Sequence, residues 1–82
     1  MNSKTIPFSL GSEKDIQIRT VLNHVYEALK EKGYNPISQI VGYLLSGDPT
    51  FITTHNGART QICKYDRDDL LHAVIKYYLT DN

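Results

Sequence analysis

The chain cannot form an internal disulfide, because Cys63 is its single cysteine, and this agrees with a reducing compartment. It also has no excess charge. Nine basic residues balance nine acidic ones, so the positive field that draws proteins to nucleic acid or anionic membrane is missing at whole-chain level. No apolar run approaches the ~20 residues of a spanning helix, and the opening Met-Asn-Ser-Lys-Thr-Ile-Pro has no apolar core of the signal-peptide kind. A cytoplasmic protein without membrane insertion is the expectation.

The groups that carry catalysis are scarce. Cys63, His24, His55 and His72 form no Cys-x-x-Cys or His-x-x-x-His pair, so no metal site is expected. Gly42 and Gly47 are isolated and no Lys-Ser or Lys-Thr follows them, so there is no phosphate loop. Nothing places a base or an oxyanion site beside Cys63, which reads as an inert, partly buried thiol. His55 reads as an ordinary surface histidine. Neither an enzyme nor a cofactor is expected.

What is present suits one small α-helical domain. At 82 residues the chain buries only ~60% of its unfolded surface, so a second copy would help a marginal core. Residues 1–14 carry Pro7, Gly11 and several hydroxyls, with Ile6, Phe8 and Leu10 as scattered apolar groups. They read as a flexible arm, and a lone strand there would need a partner edge. Residues 15–82 read as the folded domain.

From about Asp15 to Lys32, Ile18, Val21, Leu22, Val25 and Leu29 fall on one helical stripe, with Asp15 as N-cap and Gly33 closing the last turn. Asn35-Pro36 restarts the chain as cap plus first helical residue, and Ile37, Ile40, Val41 and Leu44 form the next stripe up to Gly47. Gly42 lies mid-helix, where it costs ~1 kcal/mol relative to Ala. Either a close crossing requires it or the helix tolerates it. Asp48-Pro49 repeats the cap-plus-proline device for a single turn, followed by a loop through His55-Asn56-Gly57 and a short helix from about Ala58 to Tyr65.

Asp66 is expected to cap a last helix, with Asp68 and Asp69 stabilising its positive end rather than forming a catalytic or cation site. In that helix Leu70, Leu71, Val74, Ile75 and Tyr78 spread over about 140° of arc. So broad an apolar face exceeds the needs of one small core. Leu71, Ile75 and Tyr78 are therefore the expected seam of a homodimer.

Arg59, Lys64 and Arg67 make residues 58–67 the most basic stretch, either a solvated helix face or a docking surface for an acidic or phosphorylated partner. The arm offers a kinase Ser3, Thr5, Ser9 and Ser12. Phosphate would add roughly −1.5 to −2 charges, enough to dock the arm on Arg59 or Arg67 or to repel an acidic partner.

The run from Glu31 to Pro49, Glu-Lys-Gly-Tyr-Asn-Pro-Ile-Ser-Gln-Ile-Val-Gly-Tyr-Leu-Leu-Ser-Gly-Asp-Pro, resembles the IreB family of small Gram-positive regulators. Val25-Tyr26-Glu27-Ala28-Leu29, Ala58-Arg59, Tyr65-Asp66-Arg67-Asp68 and Tyr78-Leu79 extend the resemblance over most of the chain. It implies a small helical homodimer whose N-terminal threonine is phosphorylated by a PASTA-type Ser/Thr kinase and dephosphorylated by a cognate phosphatase. It further implies control of peptidoglycan precursor supply, through Clp-dependent proteolysis of an early enzyme, and hence of resistance to β-lactams, cephalosporins included. Thr5, in Lys4-Thr5-Ile6-Pro7-Phe8, matches the family's Thr-x-x-Phe position, whereas Asn2 stands where some members have a second threonine. Thr54 and Cys63 replace two arginines expected of the family; Arg59 and Arg67 match.

The expectation is an all-α homodimer acting as a phosphorylation-controlled, non-catalytic adaptor. The alternative is a small nucleic-acid-binding protein, since two helices joined by a tight turn and followed by a basic helix have a helix-turn-helix outline. The neutral net charge counts against it.

Overall fold

The computed structural model describes residues 13–80, so residues 1–12 of the arm, with its four hydroxyl residues, lie outside the described residues, while Glu13 and Lys14, expected in the arm, are helical. Four helices follow in order: α1 (Glu13–Glu31), α2 (Pro36–Ser46), α3 (Ala58–Ile62) and α4 (Arg67–Thr80), with one-turn 3-10 segments at Pro49–Phe51 and His55–Gly57. The fold is all-α, with no strand among the described residues.

Local signals set most boundaries. Gly33, at φ 84°, ends α1 in a Schellman motif, where Tyr34 N–H reaches Leu29 O at 3.0 Å and Gly33 N–H reaches Lys30 O at 3.0 Å. Asn35 then caps α2 by accepting from Ser38 N–H at 3.0 Å, and Gly47, at φ 76°, closes it with a 2.7 Å bond to Tyr43 O. Asp48 caps the next turn through Thr50 N–H at 3.0 Å and accepts the Thr50 hydroxyl at 2.7 Å.

Other expectations are corrected. Helix α1 starts two residues before Asp15, so Asp15 lies inside its first turn and bonds Lys76 at 2.9 Å instead of capping. Helix α3 stops at Ile62, short of Tyr65, and the turn before it contains Asn56 in the left-handed region at φ 54°.

The core lies where α1 packs across the other helices: Ile18, Val21, Val25, Ala28 and Leu29 meet Tyr43, Ile52, Ala58, Ile62 and Leu70. Leu22, Ile40, Leu44, Phe51, Tyr65 and Ala73 pack around them. The α2 stripe is rotated from its expected position. Tyr43 is buried, whereas Ile37 and Val41 are 61% and 47% exposed. Gly42 lies against the Phe51 ring, so close that a Cβ there would stand 2.5 Å from it.

Candidate functional site

The basic residues do not form one helix face. Arg59 is on α3 and Arg67 opens α4, while Lys64 is exposed in the turn between them. What joins the two arginines is the segment from Leu44 to Ile52. Arg67 Nη1 donates to Leu44 O at 3.1 Å, and its guanidinium lies so close to Gly47 that a Cβ there would meet Cζ at 2.8 Å. At the other end Arg59 Nε donates to Ile52 O at 2.9 Å, while its backbone N–H bonds Thr53 O at 3.1 Å. The Asp48 carboxyl between these ends is held below its ordinary value, first by Thr50 N–H, then by the Thr50 hydroxyl, with the Arg59 charge adding to the effect.

Each arginine therefore braces the backbone as well as offering charge. A guanidinium carries five donors in a rigid fork, so a bond to one carbonyl fixes its plane without exhausting its donors. Such planar, oriented cations suit a carboxylate or phosphate partner. The sequence identified Arg59 and Arg67 but not these backbone bonds, which depend on residues up to 23 positions away.

Cys63 corrects its expectation. It is exposed, and its Sγ accepts the Tyr43 hydroxyl at 3.6 Å. Burial pushes the Tyr43 phenol above its ordinary value, the bond to Cys63 pushes the same way, and the nearby Arg67 charge opposes both. Thr54 is exposed just before the His55–Gly57 turn, so both positions that depart from the expected arginines are accessible.

Sequence reasoning missed a polar cluster that ties this turn to α1. His55 Nε2 lies 2.8 Å from Glu31 Oε1, and His24 Nε2 lies 2.7 Å from Asn56 O. His55 is thus a half-buried anchor, not a plain surface histidine. The acidic start of α4 is also tied down, since Asp69 pairs with Lys14 at 2.8 Å; the bond and charge of Asp69 raise the Lys14 pKa.

The expected seam residues are exposed on α4, Leu71 at 41%, Ile75 at 53% and Tyr78 at 70%. Among the described residues no group of three or more His, Cys, Asp or Glu could hold a metal ion. No helix among them is long and apolar enough to cross a membrane.

Residues 3–80 match the family model described as IreB regulatory phosphoprotein. This chain belongs to the IreB family. A UPF0297 protein of Acetivibrio thermocellus is 54% identical over 80 residues, covering 98% of this chain and 89% of that protein. Membership in a family of regulatory phosphoproteins gives this IreB protein a regulatory role. Nothing in the fold favours the nucleic-acid alternative: α2 carries no charged residue and α3 is five residues long, so neither is a basic recognition helix.

Proposed function

We propose that this IreB protein is a homodimeric, non-catalytic adaptor of the cytoplasm, switched by phosphorylation of Thr5. The observation that carries the reading is the family match over residues 3–80, whose description is that of a regulatory phosphoprotein. The kinase is of the PASTA type and a cognate phosphatase reverses it; the output is control of peptidoglycan precursor synthesis through Clp-dependent proteolysis of an early enzyme, and with it β-lactam tolerance.

In this reading the unphosphorylated protein presents Arg59, Lys64 and Arg67 to its partner. Phosphate on Thr5 masks or reshapes that surface, by the attraction of a near-dianion for oriented guanidinium groups. The carbonyl bonds of Arg59 and Arg67 support it, because they hold both forks in place before a partner arrives. Having Thr54 and Cys63 in place of two arginines weakens the surface or directs it to a different partner. The seam of the dimer is the outer face of α4, at Leu71, Ile75 and Tyr78.

A pull-down from lysate of the source organism tests the switch, with unphosphorylated protein, phosphorylated protein and Thr5→Glu as baits. The expected result is a partner retained by the first and lost from the other two. A set of partners identical in all three would overturn the mechanism.

A further inference from the structure

A second surface lies away from Arg59, Lys64 and Arg67. Where α1 crosses α4, Ile16, Arg19 and Asn23 on one side and Val74, Tyr77 and Tyr78 on the other line a groove of about 470 Å³. Its apolar members are open to solvent, Ile16 at 54% and Tyr78 at 70%. Its charged groups face neighbours in the groove: Lys76 bonds Asp15 at 2.9 Å, and Arg19 stacks on the Tyr77 ring at 4.3 Å while donating to its hydroxyl at 2.9 Å. A mainly apolar groove with its ions so engaged suits hydrocarbon better than a polar small molecule.

We propose that this groove is the seat of the chain's own N-terminal segment, with Phe8 as the anchor and Ile6 and Leu10 beside it. Three observations select that occupant. The twelve residues before Glu13 can reach up to ~40 Å, whereas Asp15 to Asn23 covers only ~12 Å of helix. The segment enters α1 at Glu13, within one turn of Asp15 and Ile16, and Gly11-Ser12 gives it residues suited to reversing direction. Ile6, Phe8 and Leu10 alternate with Pro7 and Ser9, so an extended chain projects all three to one side.

Tethering favours the segment over a free ligand, since a short covalent link holds it at an effective concentration in the millimolar range. Of the three proposed seam residues Tyr78 lines the groove and Leu71 and Ile75 do not, so a dimer through α4 meets the groove at its Tyr78 edge and leaves the Ile16, Arg19 and Val74 part to the segment. Docking there sets where Thr5 stands, three residues before the anchor. The inference deepens the regulatory reading but does not require Thr5 to be phosphorylated.

The test is NMR on unphosphorylated full-length protein, comparing the wild type with Phe8→Ala and sampling a mixture of isotope-labelled and unlabelled copies. Expected are ring-to-methyl NOEs between Phe8 and Val74 within one labelled copy, and amide shifts at Asn23, Val74 and Tyr77 in the variant with circular dichroism unchanged. Shifts that stop at the first turn of α1 would overturn the proposal. So would NOEs only between labelled and unlabelled copies, which would give the groove to a second chain. Because no kinase is used, failure here leaves Thr5 phosphorylation untouched, and failure of that phosphorylation leaves this result standing.

Discussion

Replacing Gly42 with alanine sets two known effects against each other. In a helix interior the substitution should stabilise by ~1 kcal/mol, from backbone entropy and propensity. At this position, however, the new Cβ would lie 2.5 Å from Phe51 Cε1 and 2.6 Å from Cδ1. Carbon atoms prefer ~3.5–4.0 Å, so the ring must retreat by roughly 1 Å.

Its backbone resists that movement. Phe51 N–H bonds Asp48 O at 3.2 Å, its carbonyl accepts Gln39 Nε2 at 2.9 Å, and Ile52 immediately after it is fully buried. Overpacking of this kind costs ~1–3 kcal/mol, so the net expectation is a destabilisation of ~0–2 kcal/mol. Around the middle of that range, ~1 kcal/mol, the midpoint falls by ~4–8 °C in a domain of this size.

Thermal melts by far-UV circular dichroism read the effect directly. In a Phe51→Ala background the clash is gone, and Gly42→Ala should then raise stability by ~1 kcal/mol, as propensity alone requires. A Gly42→Ala single variant that melts above the wild type would refute the steric argument and leave Gly42 as a tolerated imperfection.

The other predictions rest on different parts of the fold. Ile75→Glu places a charge on the outer face of α4 and should yield a folded monomer or an unfolded chain by light scattering and circular dichroism; an intact folded dimer would rule out that seam. Tyr43 has a folded pKa raised above 10.0 by burial and the Cys63 contact, so its contribution to stability is fully present below that pH and is lost as pH rises through the folded value. Tyr43→Phe should therefore flatten the alkaline fall in melting temperature, and an unchanged profile would count against that assignment.

Features encoded within a few residues were legible in the sequence. Gly33, Asn35-Pro36, Gly47 and Asp48-Pro49 each act through bonds to near neighbours, and each sits at a helix boundary. Helix α2 was harder because it carries no charged residue, so no polar face marks its outside and periodicity cannot distinguish the Tyr43 side from the Ile37 and Val41 side. The contacts that bury Tyr43 and place Gly42 against the Phe51 ring are tertiary and leave no local trace. Asp15 read as a cap for want of its partner, since Lys76 lies 61 residues away.

The candidate site divides in the same way. Arg59 and Arg67 stood out as charges, but their bonds to Ile52 O and Leu44 O depend on how α3 folds back on the segment after Pro49–Phe51 and how α4 returns to α2. Cys63 was expected to be partly buried as an apolar thiol commonly is, yet α3 ends one residue earlier and leaves it exposed beside the Tyr43 hydroxyl. The histidine cluster joining Glu31 and Asn56 across 24 and 32 residues left no local signal at all.

The most direct test of the regulatory account is intact-mass and fragment-ion analysis after incubation with the PASTA kinase domain of the same organism. The account predicts a single phosphate located on Thr5. No phosphate, or phosphate only on Ser3, Ser9 or Ser12, would contradict it.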